Sequence, residues 1–176
     1  MRLYRIYNSL LFIFVLNGTG VFAQVTPSAS ATGHVIAEII PVFAASETSQ
    51  LNFGRFSPGP QGGKIILTPY GTISVLGSVF KGPGTHNAAS FHVSGHQDAA
   101  FSINLPAKPV ILTHLTSAKT MIVDNWVSVP GTEIGAGMLQ GGYQVVQVGA
   151  TLNVGTLDDN PVGVYTGTYE ISFDFN

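Results

Sequence analysis

Along most of this chain, apolar and polar positions alternate with a period of two. In residues 143–154 (YQVVQVGATLNV), Val146, Val148, Ala150, Leu152 and Val154 fall on one side, the mark of a strand that buries one face. The same alternation puts Phe91 with Val93, and Phe101 with Ile103 and Leu105. The C-terminal stretch repeats it, with Tyr165, Gly167, Tyr169, Ile171, Phe173 and Phe175 on one side and Thr166, Thr168, Glu170, Ser172 and Asp174 on the other. The pattern predicts strands over His34–Ala44, Gln50–Phe56, Lys64–Thr68, Thr72–Phe80, Ala89–Ser94, Ala100–Leu105, Val110–Leu115, Thr120–Val129, Tyr143–Val154 and 163–176. Turn residues separate them at the spacing of a sandwich or barrel. No stretch holds a helical period, and 21 glycines with 10 prolines would interrupt one repeatedly. IAEIIPVF and KIILT are apolar on both sides, which places them at a seam between sheets. The predicted fold is an all-β antiparallel sandwich of two packed sheets.

The N-terminus departs from this pattern. Arg2 and Arg5 precede an apolar run from Ser9 to Leu16, and Val21-Phe22-Ala23 follows. This reads as a secretory signal peptide cut before Gln24, the run being far short of the ~20 residues that span a bilayer. The domain reading is therefore a signal peptide over 1–23, a flexible arm over 24–33 that contains the low-complexity SASAT and is the candidate donor segment for strand addition, and a sandwich over 34–176. Export predicts a periplasmic, cell-surface or extracellular protein of a Gram-negative bacterium. The 153 residues left after cleavage suffice for one domain with its own core. There is no cysteine, so stability must come from packing and ladder hydrogen bonds.

Charge narrows the function classes. Without residues 1–23, five basic residues (Arg55, Lys64, Lys81, Lys108 and Lys119) face nine acidic ones. So thin and acidic a surface does not neutralise a row of phosphates, which excludes nucleic acid as the expected partner. Candidate chemistry is sparse. His92, Ser94, His96 and Asp98 supply the letters of a hydrolytic triad, but Gly95–Asp98 reads as a hairpin turn, and a triad needs base and nucleophile in direct hydrogen-bond reach. The five histidines (His34, His86, His92, His96, His114) lack metal-site spacing. Asp158-Asp159-Asn160 reads as a turn whose side chains cap their own backbone, Gly59–Gly63 and Gly82-Pro83-Gly84 as further turns, and Trp126 as a core or seam residue. The sequence thus predicts no catalytic residue, no cofactor and no metal. Its notable feature is the last strand, since an uncovered strand edge is a template for pairing with another chain. Gly163, Tyr165, Tyr169, Ile171, Phe173 and Phe175 are the expected assembly edge.

Five phrases in order carry a resemblance: Leu51-Asn52-Phe53-Gly54; Ile65–Thr68 after a Gly/Pro-rich turn; Ala89–Gly95; Val148–Val154; and Pro161-x-Gly163-x-Tyr165-Thr166-Gly167. Together they resemble the bacterial exported family called domain of unknown function 4402. The Leu-x-Phe-Gly phrase and the last strand also resemble subunits of chaperone–usher pili and spore-coat-U-like proteins. Those carry a glycine fourteenth from the end and a penultimate aromatic, the places of Gly163 and Phe175 here. The looser resemblance implies an immunoglobulin-like sandwich lacking its final strand and completed by strand addition. Its implied partners are identical or related subunits and a periplasmic chaperone. The expected function is a non-enzymatic structural or adhesive surface protein. Two alternatives are a small outer-membrane β-barrel, which would close on an aromatic-rich strand, and a carbohydrate-binding sandwich with Trp126 as its platform.

Overall fold

A computed structural model describes residues 27–39 and 42–175. The expected signal peptide lies outside the described residues, as do residues 24–26 of the arm. Residues 27–39 carry no regular secondary structure and are exposed. The chain divides into two units, Met1–Glu38 and Ile39–Asn176, and the strands belong to the second.

The second unit is an all-β antiparallel sandwich, as the alternation predicts. In chain order its strands are β1 (Ala44–Ser49), β2 (Phe56–Leu67), β3 (Ile73–Lys81), β4 (Ala89–Ser94), β5 (Ala100–Asn104), β6 (Val110–His114), β7 (Thr120–Val129), β8 (Gly137–Met138), β9 (Tyr143–Val154), β10 (Tyr165–Thr166) and β11 (Ser172–Phe175). The larger sheet runs β1-β4-β9-β7-β6-β10, with β2 also on β9 and β3 on β2; the smaller runs β11-β5-β8. β9 organises the whole. One of its edges is paired by β7, and the other by β4 over Tyr143–Val148 and by β2 over Ala150–Val154.

Two apolar clusters follow from the inward faces. One joins Ile65, Leu67, Val123, Leu152 and Val154. The other packs Phe101 and Ile103 of the small sheet against Ala89, Val93, Val146 and Val148 of the large one. Leu51 and Trp126 touch both, so Trp126 is the seam residue its composition suggests.

Four sequence expectations are corrected. Gln50–Phe56 is not a strand: Asn52 makes an isolated bridge to Asn87, its side chain accepts from Gly54 N–H, and Gly54 turns the chain at a φ of 79° before β2 begins at Phe56. The strand expected over His34–Ala44 is not formed in residues 34–39, which are irregular, with Val35, Ile36 and Ile39 at least 94% exposed, because no sheet covers these residues; β1 begins only at Ala44. Gly59–Gly63 is not a turn but the bulged middle of β2, whose register on β3 jumps between Pro58 and Gly63. A Cβ on Gly63 would overlap the Leu76 carbonyl, so the glycine lets the bulge lie flat on β3. The single strand expected over 163–176 is two short strands, β10 and β11, on different sheets, and residues 167–171 between them belong to no strand.

Candidate functional site

The C-terminal segment crosses from one sheet to the other along the open side of the sandwich. β10 pairs with β6 through Tyr165↔His114 and Thr166↔Thr113, and β11 pairs with β5 from Ser172↔Asn104 to Phe175↔Phe101. Its start is fixed by a polar joint around His114, which is buried. Thr116 N–H donates to His114 Nδ1 at 3.1 Å, so Nε2 carries the proton and donates to the Val162 carbonyl, also at 3.1 Å. A Cβ on Gly163 would collide with that imidazole. Gly163 is thus a close-approach glycine. Tyr165 packs edge-on to His114 and donates its hydroxyl to the Pro161 carbonyl; burial raises its pKa. Asn160 completes the joint, accepting from Gly155 N–H and donating to the Thr120 carbonyl. The Asp158–Asn160 stretch is the self-capped turn its sequence predicts, with Asp159 bonded to Thr156 and its carboxyl held below the usual range by those bonds.

Further along, the aromatic side chains reach inward. Tyr169 lies on Trp126 with ring centroids 4.7 Å apart and meets Phe91 edge-on. Phe173 contacts Phe91 and Phe101, and Phe175 contacts Phe101 and stacks on Phe43 at 3.7 Å. Ile171 joins the same cluster. The structure therefore gathers Tyr169, Ile171, Phe173 and Phe175 on one cluster, while Gly163 and Tyr165 belong to the His114 joint.

β1 passes opposite this segment. Phe43 meets Phe175, and Tyr169 donates to Glu47 Oε1 at 3.3 Å, so the first and last strands run antiparallel. They touch by side chains only. Among the described residues β1 pairs with β4 alone and β11 with β5 alone. Between the two walls lies a groove of about 420 Å³ bounded by Glu47, Gln50 and Leu51 on one side and Tyr165–Tyr169 on the other, with Phe91 and Leu112 beneath. A second hollow of about 590 Å³, between residues 51–58 and Leu157–Tyr165, shares Leu51 and Tyr165 with it and has Met121 and Leu152 beneath. Core side chains thus floor an open slot along the first and last strands. The wall residues Glu47, Gln50 and Leu51 were not legible as site residues, because β1 (AASETS) has no apolar alternation; Leu51, within the Leu-x-Phe-Gly phrase, was the one available signal.

The triad letters do not converge. His92 stacks on Tyr143 across β4 and β9, while His96 and Asp98 sit in the β4–β5 turn bonded to or beside Gln97. Among the described residues no group of three or more His, Asp or Glu is placed to hold a metal ion.

The family described as Domain of unknown function (DUF4402) matches residues 43–175. The chain belongs to that family. The DUF4402 match begins at Phe43 and covers both walls of the groove, and the exposed residues 27–39 precede it. No curated protein and no solved structure matches the chain.

Proposed function

We propose that this DUF4402 protein is an exported, non-enzymatic structural or adhesive element of the bacterial surface, and that its groove receives an extended segment of another chain by strand addition. The observation that supports this is the slot between the first and last strands: among the described residues each wall has a backbone edge with no ladder partner, while the floor is hydrophobic core. An extended peptide satisfies both at once, pairing its backbone with the wall and burying alternate side chains. Two polar groups in the slot, Glu47 and Tyr169, bond to each other, and Tyr169 is kept neutral by burial first and by the Glu47 carboxylate second. A neutral phenol tied to a carboxylate in this way suits a latch better than an acid–base pair.

The apolar residues of β5 and β9 point into a packed core, whereas a membrane barrel turns its apolar band outward; that favours the sandwich subunit over the barrel reading. The mature chain is expected to stay in solution without detergent and to form species that persist on an unboiled gel. A chain that remains monomeric while its 167–171 amides resist hydrogen exchange would remove the strand-addition reading.

A further inference from the structure

Resting on that reading of the groove, we infer that its occupant is the segment Val35–Ile39 of a second copy of this chain, seated with Val35, Ala37 and Ile39 on the groove floor and Ile36 and Glu38 toward solvent. Three observations lead there. Val35, Ile36 and Ile39 are 95%, 94% and 97% exposed and Val42 is 84% exposed. So dense a run of uncovered aliphatic side chains marks an interaction segment. The length also fits: the groove wall Tyr165–Tyr169 is five residues, as is Val35–Ile39, and extended chains of equal residue count match in reach. Finally, charge sets the register. A strand's side chains alternate between faces, so a one-residue slip would push Glu38 onto the apolar floor. Residues 24–33 offer only Val25, Pro27, Ala29 and Ala31 on one face, and proline withholds a ladder donor.

The same chain is a poor source for its own groove. Folding 35–39 back along β1 would require Ile40-Pro41-Val42-Phe43 as the hairpin loop, and that loop contains none of the Gly, Asn or Asp that hairpin turns use at positive φ. Phe43 is moreover already stacked on Phe175. Insertion from a neighbour needs no such turn. It does need the Tyr169–Glu47 hydrogen bond, which spans the slot from wall to wall, to open.

The test compares aspartate substitutions of opposite parity in the full exported chain, with molar mass read by light scattering. All three sites are solvent-exposed, so each variant should fold, with the strand spectrum of the wild type. Wild type and Ile36→Asp are expected to assemble alike, and Val35→Asp and Ile39→Asp to fall to the mass of one chain. Equal effects at positions 36 and 39 would overturn the proposed register. Full assembly of Ile39→Asp would remove this segment and leave the groove reading standing, and a monomeric wild type would remove both. Because the chain has no cysteine of its own, mixing an Ala37→Cys chain with a Gln50→Cys chain reports the contact directly. A disulfide-linked dimer is expected. Crosslinking only within an Ala37→Cys/Gln50→Cys double variant, with none in the mixture, would place the segment in its own groove and overturn the inference.

Discussion

β9 and the C-terminal segment share one sequence pattern and meet opposite structural fates. Both alternate apolar and polar residues over a dozen positions. β9 becomes one unbroken strand with partners on both edges, and Val146, Val148, Ala150 and Leu152 are at most 2% exposed. The C-terminal segment is cut into β10 and β11, each with a partner on one edge among the described residues, and its inward residues from Tyr165 to Phe175 are half-buried where they are not exposed. Periodicity fixes which face of a strand turns inward. It does not fix how many neighbours the strand has, and a strand with one neighbour keeps backbone groups and apolar surface available for another chain.

The sharpest way to break that comparison is to truncate one aliphatic residue in each segment. Leu152→Ala removes a side chain that is 2% exposed, so a loss of about 3–4 kcal/mol is expected in denaturant unfolding. Ile171→Ala, half-buried beside the slot, should cost about 1–2 kcal/mol, because part of its surface is already in water. Equal losses would mean that the C-terminal segment is as embedded as β9. If another strand occupies the slot, the Ile171→Ala cost should grow more in the assembled form than the Leu152→Ala cost, since Leu152 has only 2% of its surface left to cover.

Next in size is the joint that holds the segment to β6. Gly163→Ala would drive a methyl group into the His114 ring, and overpacking of this kind costs about 1–3 kcal/mol. The ring cannot turn aside without losing its bonds to Thr116 and Val162. His114→Ala should therefore relieve much of the Gly163→Ala penalty, and a double-mutant cycle in urea measures the relief. Simple additivity would show that the two residues do not oppose each other.

How much of this could be read from the chain follows from the kind of information each feature needs. β4, β7 and β9 match their predicted spans residue for residue, because each combines alternation with clear turn residues at its ends. β2 was only half legible: its first part is glycine and proline, which signal a turn locally but here form a bulge held by β3. β8, two residues of Gly-Met, has no periodicity to detect. The row of aromatics along the C-terminal segment was legible, but the groove was not, since its opposite wall is the polar β1 and its floor is assembled from strands distant in sequence. Gly163 was singled out by its place relative to the C-terminus, whereas its physical role is set by His114, 49 positions earlier in the chain.

The smallest effect concerns the hydrogen bond across the slot. Tyr169→Phe keeps the ring on Trp126 and deletes only the hydroxyl bonded to Glu47. Since that carboxylate is exposed, the loss should be at or below about 1 kcal/mol at neutral pH. The pH dependence is more diagnostic. Burial, and then the nearby Glu47 charge, raise the Tyr169 pKa above its ordinary value of 10.0, so the folded chain holds a proton that the unfolded chain has already released. The stability this confers is fully present below pH 10 and drains away as the pH climbs toward the raised value, by no more than about 1.4 kcal/mol per pH unit. Wild type should therefore lose stability above pH 10 more steeply than Tyr169→Phe, with Glu47→Gln between them because it removes the second cause and leaves the first. Parallel alkaline unfolding curves for wild type and Tyr169→Phe would mean that the phenol is not sealed against Trp126. A steeper curve that flattens on assembly would instead show an incoming strand taking over the cover of that ring.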